Sequence, residues 1–402
     1  MRIAYISYEH PLGIAGGGIG TYTAQIALIM SGRKHAVEVF SAVLGGSYKC
    51  MPTNNYKLHL IPVTSHQDFR EQVEKIFASI HQTEPFDLVE NAEYGADALL
   101  IKKRYPGLPL VVKLHTPRFL VDRLNFVSPR LFSKLRYILG GFLKGKFPKP
   151  YWKIKYGFDP EQELYQLADA VSSPSTSLAE IVKSEWGRKE ITVLPNPLPS
   201  TTMVTVNRQN PDNAIRVLFI GRLERRKGIY DIAKAIPLIF KKKTSIKFCF
   251  AGSDQPSIRP GISTKAYLLK RLAPYLDRLE FSGLLKPAEL NSRLTETDIC
   301  IFPSLWENFP NVCMEAMLAG KAVIASKNGG MSEMITHLKN GYLISPNSPN
   351  ELADAILKLS GDNELRQILS AAGREHVLET YDPSIIGQKT ELFYQYTLNK
   401  KK

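Results

Sequence analysis

The stretch DICIFPSLWENFPNVCMEAMLAGKAVIAS (298–326) contains two apolar runs separated by a polar loop and a segment with helical spacing. The runs 298–304 and 322–326 are five to seven residues long and apolar on both alternating faces, as expected of buried parallel strands. The helix-like segment 311–320 lies between them. The stretch therefore predicts a strand–helix–strand unit of a parallel sheet.

The same alternation runs through the whole chain. Further strands are predicted at 2–8, 36–42, 87–91, 109–115, 169–175, 191–196, 215–221, 246–252, 279–283 and 341–345. Helix-like stretches separate them, among them 21–33, 66–82, 231–243 and 350–361. The predicted fold class is α/β, with two doubly wound, Rossmann-like parallel-sheet domains of similar size facing a cleft.

The chain has 402 residues, which is more than a single core usually holds. The segment 195–214 is rich in Pro, Asn and Thr, has no periodicity and precedes a new strand, so it marks a domain boundary. We therefore place an N-terminal domain at 1–196, a linker at 197–213 and a C-terminal domain at 214–375. The remaining segment, 376–402, has a helical pattern.

The composition excludes several classes of protein. Apolar residues make up 44% and charged residues 22%, so a disordered or fibrous chain is not expected. The four cysteines cannot form a disulfide framework, and no Cys/His spacing predicts a metal site. No run of 18 apolar residues and no signal-like start are present in this sequence, so we expect a cytoplasmic protein.

The net charge of +14 is concentrated in one segment. Between Arg118 and Tyr156, ten basic residues accompany a single acid, Asp122, so 118–156 carries +9. Aromatic and aliphatic residues interleave these cations, as in interfacial membrane segments. We expect peripheral contact with an anionic membrane through 118–156, with a solvated helical cap over the core as the alternative. No nucleic-acid recognition motif accompanies the charge, so no nucleic acid is expected as a partner.

The sequence GIAGGGIGTYT (13–23) follows the first predicted strand and precedes a helix. Glycines at such a turn let the backbone approach a ligand and direct helix N–H groups at an anion, here from Gly16, Gly17 and Gly18. Thr21 stands where a dinucleotide-binding motif would have its third glycine. A dehydrogenase is therefore disfavoured.

The sequence GRLERRKG (221–228) follows a strand of the second half. Ligands of open α/β sheets bind at the carboxyl ends of strands, and two cations there, Arg222 and Lys227, suit a diphosphate. The neighbouring Arg225 and Arg226 are expected to be solvated loop residues.

The loop after strand 298–304 carries Glu307 and leads into the next helix. Asn308 is predicted to cap that helix and Pro310 to lie in its first turn, where free N–H groups can hold an anion or sugar hydroxyls. Glu315 lies among apolar residues, where a buried carboxylate needs a partner. Eight residues of helix rise roughly 12 Å, so Glu307 and Glu315 are expected to contact different parts of a long ligand.

These residues resemble glycosyltransferase family 4. Glu307 and Glu315 fit the E-x7-E signature of retaining glycosyltransferases, and 221–228 fits the GR-x4-KG donor-phosphate motif. The glycine loop and KLHTP (113–117) also match, whereas 118–160 has no counterpart and Pro310 replaces the usual glycine. Further matches are DAVSSPS (169–175), VLPNPL (193–198), FAGSD (250–254) and FSGLLKPAEL (281–290).

The resemblance implies a GT-B fold, with the donor bound by the C-terminal domain, the acceptor by the N-terminal domain, and 376–402 crossing back. It implies metal-independent, retaining transfer of a hexose from a nucleotide sugar, with UDP expected because it is common in the family. No other cofactor is implied. The residues implied in catalysis are His115, Arg222, Lys227 and Glu307. Donor contacts are implied for Gly16, Gly17, Gly18, Arg222, Lys227, Leu285, Asn308, Phe309, Pro310, Asn311, Val312 and Glu315.

A glycan or lipid-linked acceptor and a role in polysaccharide or glycolipid synthesis are the setting that the resemblance implies. Two alternatives stay open at this point. One is a GT-B nucleotide-sugar epimerase or hydrolase, and the other is a non-catalytic relative that binds a nucleotide or a glycan.

Overall fold

The computed structural model describes residues 1–14, 17–53, 55–126, 131–143, 145, 158–198, 213–243, 245–258 and 261–400, with the backbone alone for 131–133. The predicted linker 197–213 and the predicted segment 118–160 therefore fall partly outside the described residues. The chain forms two separate sheets covered by helices. The predicted fold class is confirmed.

The N-terminal sheet has eight strands within the described residues. They are β1 (Arg2–Ser7), β2 (Ala36–Leu44), β3 (Lys49–Pro52), β4 (Lys57–Val63), β5 (Leu88–Ala92), β6 (Leu110–Lys113), β7 (Ala170–Ser173) and β8 (Thr192–Val193). Their order is β3-β4-β2-β1-β5-β6-β7-β8, and every pair is parallel except β3 with β4. The order reverses at β1, whose Ile3 lies beside Val37 on one side and Leu88 on the other.

Strands β3 and β4 were not predicted. All four residues of β3 are exposed, and β4 contains His59 and Pro62, which interrupt an apolar pattern. His59 is nevertheless buried, because its Nε2 lies 2.7 Å from Oε2 of Glu38 on the neighbouring strand β2. A polar residue can therefore occupy this strand because its partner comes from β2 and not from β4 itself.

Seven helices accompany this sheet in the described ranges. They are α1 (Gly18–Gly32), α2 (His66–Thr83), α3 (Leu99–Arg104), α4 (Arg118–Asn125), α5 (Leu131–Phe142), α6 (Pro160–Leu167) and α7 (Thr176–Trp186). Helix α2 shows why such segments fold: Ser65 caps its first turn, and Phe69, Val73 and Phe77 recur every fourth residue on the buried face.

The C-terminal sheet has six parallel strands in the part of the chain described. They are β9 (Ile215–Ile220), β10 (Ile246–Ala251), β11 (Leu279–Gly283), β12 (Ile299–Phe302), β13 (Ala322–Ser326) and β14 (Tyr342–Ile344). The order β11-β10-β9-β12-β13-β14 is that of a dinucleotide-type doubly wound sheet. The order of the strands reverses between the parallel neighbours β9 and β12, where Ile299 lies beside Val217.

The helices of this half cover both faces of the sheet. They are α8 (Ile229–Lys242), α9 (Thr264–Arg271), α10 (Pro287–Thr295), α11 (Asn311–Leu318), α12 (Met331–Met334), α13 (Pro349–Gly361) and α14 (Asn363–Thr380). Helix α8 buries Ile232, Ile236 and Ile239 on one face, each with no exposed surface. Full burial of such a side chain is worth about 1.5–3 kcal/mol before the entropy cost of ordering it.

Helix α15 (Pro383–Asn399) leaves the C-terminal half and packs against α1 and the N-terminal sheet. A Cβ at Gly387 would lie 2.5 Å from Cγ2 of Ile29, so glycine allows the two helices to approach closely. The hydroxyl of Tyr394 donates to Glu90 Oε2 at 2.6 Å and lies 3.1 Å from the hydroxyl of Tyr5. The predicted helical segment 376–402 therefore contains the end of α14 and a separate helix.

No helix among the described residues is both long and apolar enough to cross a bilayer.

Candidate functional site

The reversal point of the C-terminal sheet brings together the loops after β9 and β12. Gly228, with φ of +75°, ends the first loop, and a Cβ there would lie 1.9 Å from the carbonyl oxygen of Pro303 in the second. This contact requires glycine, and it places the residues of 221–228 beside those of 303–310. Such a reversal point is where open α/β sheets bind ligands.

Five charged residues meet at this point, and we call them the switch-point cluster. Lys227 Nζ donates to Glu307 Oε2, and Arg226 Nη1 donates to Glu307 Oε1 at 3.3 Å. Arg226 also donates to Glu224 Oε1 through Nη2, at 2.9 Å, and Nε, at 3.2 Å. Arg222 Nη2 lies 3.3 Å from the same Glu224 oxygen, and its side chain is 51% exposed. Arg222, Lys227 and Glu307, all singled out in the sequence, are thus within one network.

The interpretation of Arg225 and Arg226 as solvated loop residues is wrong. Arg226 is buried, because it is held between the carboxylates of Glu224 and Glu307. Arg225 is half-buried, and its Nη1 donates to the carbonyl oxygen of Leu124 at 2.7 Å, in helix α4 of the N-terminal half. The loop after β9 is therefore tied to both sides of the cleft.

Glu307 is 7% exposed, so its charge depends on its neighbours. Burial raises the pKa of its carboxyl, and the adjacent Lys227 and Arg226 more than offset that effect, so the pKa lies below its ordinary value. Ser304 Oγ also donates to this carboxylate, at 3.4 Å. Glu307 is therefore an ionised acceptor at neutral pH.

Asn308 does not cap a helix, and that prediction is wrong. Helix α11 begins at Asn311 with Pro310 as its capping residue, so Glu307 precedes the helix and the expected 12 Å separation along one helix does not apply. The side chain of Asn308 instead crosses the cleft. It donates to the carbonyl oxygen of His115 and accepts from Ser175 Oγ at 2.6 Å. The carboxamide of Asn308 therefore links the two halves of the molecule. The first N–H groups of α11 donate no hydrogen bond to the side chain of its capping residue.

The first turn of α11 faces the glycine loop. Asn311 is 9% exposed, and neither polar atom of its carboxamide has a hydrogen-bond partner among the described residues. Its Nδ2 lies 3.8 Å from the position of a Cβ at Gly18, the first residue of α1. Gly17 donates its N–H to Glu9 Oε2 at 3.0 Å, and Gly16 lies outside the described residues.

Further along α11, Glu315 is half-buried, and burial raises the pKa of its carboxyl to about 7. Val312 is half-buried in the same turn as Asn311, and Phe309 packs against Tyr381 with ring centroids 5.2 Å apart. Leu285 follows β11 at the same edge of the sheet and packs into the C-terminal core.

His115 lies across the cleft, after β6. Its backbone N–H donates to Glu93 Oε2 at 2.7 Å, and its ring meets that of Tyr22 edge-on at 5.1 Å. Burial, with Lys113 nearby, lowers the pKa of the imidazole to about 3, so the ring is neutral. In the described part of the chain, its buried Nε2 has no partner. His115 thus presents an uncharged ring with one unused nitrogen.

Sequence reasoning missed the buried groups beneath His115. Burial, and secondarily Glu161, raise the pKa of Glu93 to about 8. Glu90 accepts from the hydroxyls of Tyr22, at 2.9 Å, and Tyr394. Lys113 Nζ lies 5.1 Å from the Tyr22 ring centroid and donates to a backbone carbonyl. The available signal was a charged residue inside an apolar strand, in DLVEN (87–91) and VVKLH (111–115).

The arrangement can therefore bind two kinds of group. The switch-point cluster offers cations at the carboxyl edge of the C-terminal sheet, beside a helix N-terminus, which suits a diphosphate. His115 and Asn311 offer neutral polar atoms without partners, which suit hydroxyl groups. Among the residues described, no group of three or more His, Cys, Asp or Glu side chains could hold a metal ion.

Comparison with known families gives two matches that follow one another along the chain. The model described as "Glycosyltransferase Family 4" matches residues 16–201, and that described as "Glycosyl transferases group 1" matches residues 205–376. The first covers the glycine loop and His115, and the second covers the switch-point cluster and Glu315.

Curated relatives match over different lengths. Spore coat protein SA of Bacillus subtilis is 24% identical over 385 residues, which cover 93% of this chain and 94% of that protein. An uncharacterised glycosyltransferase of Methanocaldococcus jannaschii is 28% identical over 187 residues, and this chain spans about half of its length, 46%.

Solved structures share the fold over nearly the whole chain. Sucrose-phosphate synthase from Thermosynechococcus elongatus has a TM-score of 0.76 at 19% identity, covering 99% of both chains. Anabaena HepE, solved in complex with UDP-glucose, has a TM-score of 0.65 at 18% identity, covering 98% of this chain and all of that one. At these identities the likeness shows the fold alone.

Proposed function

The chain belongs to glycosyltransferase family 4 and has the GT-B fold, and we propose that it transfers a hexosyl group from a nucleoside-diphosphate sugar with retention at the anomeric carbon. UDP is the proposed nucleotide, and HepE, a structural neighbour solved with UDP-glucose, supports that choice. The proposed acceptor is a glycan or a lipid-linked glycan of polysaccharide or glycolipid synthesis.

The observation that carries this proposal is the switch-point cluster. The donor diphosphate is proposed to lie against Arg222 and Lys227, with the first N–H groups of α11 completing its neutralisation. The half-exposed Arg222 is already at the surface of the cleft. These groups can stabilise a leaving diphosphate without a metal ion.

The other predicted residues take their places around that diphosphate. We propose that the carboxylate of Glu307 accepts from donor sugar hydroxyls and that Glu315 accepts from the ribose. The neutral His115 and the carboxamide of Asn311 face the sugar from either side of the cleft. Backbone near Leu285 contacts the base, and the glycine loop approaches the donor from the N-terminal half.

The proposed reaction breaks the bond between the anomeric carbon and the diphosphate oxygen. The bonding electron pair leaves with the diphosphate, and the acceptor oxygen forms its bond to the same face of the sugar. The acceptor proton passes to the leaving phosphate oxygen. Preorganised cations lower the barrier because negative charge grows on the diphosphate as the bond breaks.

A thermal-shift screen tests the donor site. UDP, GDP, ADP and their sugars are added without metal to wild type, Arg222→Ala and the control Arg271→Ala, an exposed arginine on α9. A ligand at 100 times its Kd adds about 2.7 kcal/mol to the free energy of unfolding. We expect one nucleotide to stabilise wild type and the control but not Arg222→Ala. No stabilisation by any nucleotide would refute the proposed donor.

Peripheral membrane contact is proposed for helix α5. Its exposed apolar side chains recur with helical spacing at Leu135, Leu139 and Phe142, followed by Leu143. Lys134 and Arg136 lie in the same helix. An apolar stripe with flanking cations fits the anionic inner face of a cell membrane, where a lipid-linked acceptor would be presented.

Vesicle flotation tests this contact. Wild type is expected to float with phosphatidylserine-containing vesicles and not with purely zwitterionic ones, because the cations require an anionic surface. Leu139→Asp with Leu143→Asp should abolish flotation. The matched control, Leu392→Asp, changes an equally exposed leucine on α15. Equal flotation of all three proteins would contradict the proposal.

A further inference from the structure

Each carboxylate of the switch-point cluster is shared between two cations. Glu307 contacts Lys227 and Arg226, and Glu224 contacts Arg222 and Arg226. Arg226 is the cation common to both. Its guanidinium uses Nη1 for one carboxylate and Nη2 with Nε for the other, so a single side chain bridges two acids.

The two arginines that contact Glu224 differ in exposure. The side chain of Arg222 is 51% exposed, whereas that of Arg226 is 6% exposed. The backbone of Arg226 is also fixed, since its N–H donates to Asn125 Oδ1 at 3.3 Å and its carbonyl accepts from Leu305 N–H at 2.8 Å. The side chain of Arg226 therefore cannot turn toward the cleft without breaking its bonds to Glu224 and Glu307.

Donor binding creates a problem of charge. Glu224 and Glu307 are 8% and 7% exposed, and a buried carboxylate without a partner is costly. If Arg222 and Lys227 move to the diphosphate, each carboxylate loses one of its two cations. Only Arg226, among the described contacts of the cluster, remains for both.

We propose that Arg226 is a positioning residue: it is the counterion that stays with Glu224 and Glu307, and it thereby releases Arg222 and Lys227 to the donor diphosphate. This rests on the proposed function, since it assumes that a diphosphate is bound here. Arg226 itself does not touch the donor. Without it, the two carboxylates hold the phosphate-binding cations and compete with the ligand for them.

The test measures UDP, GDP and ADP binding by titration calorimetry without metal. Arg226→Gln is expected to lower the affinity of the nucleotide that wild type binds by about tenfold, because a buried charge pair loses one member. Arg293→Gln is the matched control, since Arg293 pairs with Glu280 on the surface of the C-terminal half, and its affinity should equal that of wild type.

Restoring the balance of charge separates positioning from structure. In Arg226→Gln with Glu307→Gln, no carboxylate retains Lys227, so nucleotide affinity should recover although sugar transfer is lost with the Glu307 carboxylate. In Arg226→Gln with Glu224→Gln, Arg222 is released and affinity should recover in part. If Arg226 were merely structural, nucleotide affinity would change only in parallel with the free energy of unfolding of these variants, which urea unfolding measures.

The outcomes are distinguishable. If wild type binds none of the nucleotides, the proposed function fails and this inference falls with it. If wild type binds one and Arg226→Gln binds it equally well, or if neither double variant recovers affinity, the inference alone is overturned. Should Arg226→Gln fail to fold, Arg226→Lys keeps a charge that reaches only one carboxylate, and it should show a smaller loss of affinity that Glu224→Gln repairs.

Discussion

The two halves of the molecule place their functional groups at the carboxyl edges of similar parallel sheets, but in opposite electrostatic states. The C-terminal edge carries ionised side chains paired with one another, as at Lys227 and Glu307. The N-terminal edge carries groups that burial holds neutral, as at His115 and Glu93. At neutral pH, therefore, the groups named at one edge are charged and those named at the other are uncharged.

The difference follows from which groups surround the residues and not from their place along a strand, since Glu93 follows β5 and His115 follows β6. Arg222 and Lys227 come after β9 and Glu307 after β12, so they lie in loops that reach the cleft. Glu90 and Lys113 lie within β5 and β6, inside the core. The adjacent cations Lys227 and Arg226 keep Glu307 ionised, whereas burial beside the like charge of Glu161 holds Glu93 in its neutral form.

The largest expected effect tests whether the charged edge carries the reaction. Glu307→Gln should lower kcat/KM for sugar transfer by about 100-fold, because the ionised acceptor is lost while Lys227 and Arg226 stay buried. The measurement is steady-state kinetics with the nucleotide sugar selected by the binding screen. Glu280→Gln, a change on the surface, is the control. Equal losses of kcat/KM in both variants would contradict a role of the charged edge in the reaction.

The next prediction concerns the neutral edge. The pKa of Glu93 is about 8 in the native state and about 4.5 when unfolded, so its stabilising contribution is complete below pH 4.5 and is lost as pH rises to about 8. The free energy of unfolding of wild type relative to Glu93→Gln should therefore fall by roughly 2–4 kcal/mol between pH 5 and pH 8.

Urea unfolding at pH 5, 6.5 and 8 measures this difference. Glu180→Gln is the control, because that glutamate is largely exposed and pairs with Lys183 in its own helix. A difference that is constant with pH would mean that Glu93 is ionised in the native state and that the two edges are alike.

A smaller effect tests what supports the neutral edge. Tyr394→Phe removes a hydroxyl that donates to the buried Glu90, and it should lower the free energy of unfolding by about 1–3 kcal/mol. Tyr396, two residues along α15, is 53% exposed, so Tyr396→Phe should change it by less than about 0.5 kcal/mol. Thermal unfolding of both variants measures this difference. Equal stabilities would contradict a stabilising role of the Tyr394 hydroxyl.

The smallest effect concerns Glu315. This residue lies in the C-terminal half, but its carboxyl pKa is raised, as is that of Glu93 in the N-terminal half. Below a pH of about 7 the carboxyl is protonated, and above it the carboxylate can accept from both ribose hydroxyls. Affinity for the nucleotide sugar should therefore rise between about three- and tenfold from pH 6 to pH 8. Glu315→Gln should show a flat profile, and an equally steep profile in that variant would exclude Glu315 as the titrating group.

The C-terminal half was easier to predict because its motifs follow the ends of apolar runs. Arg222, Lys227 and Glu307 could be selected from their places after strands, and the structure brings them into one network. The burial of Arg226 could not be predicted, because it depends on the loop after β12 lying against the loop after β9. The bond from Asn308 to His115 spans 193 residues of sequence, and a local capping rule cannot anticipate it.

Less of the structure of the N-terminal half could be predicted from the sequence. Strand β4 depends on a pair between His59 and Glu38, two polar residues that lower the apolar signal of their strands. The packing of α15 against this half was implied by family resemblance alone. The sequence of an amphipathic helix shows that one face is buried but not which surface it packs against. Tertiary partners, and not local propensity, determine both features.

Helix α15 also has a consequence for the way the protein is made. The core that contains Tyr5, in β1, is completed by Tyr394, nearly the whole length of the chain later. The ribosome must therefore synthesise the entire C-terminal sheet before α15 can cover the core of the N-terminal sheet. The half that emerges first is finished last, and until then the nascent chain presents an uncovered apolar surface that chaperones can bind.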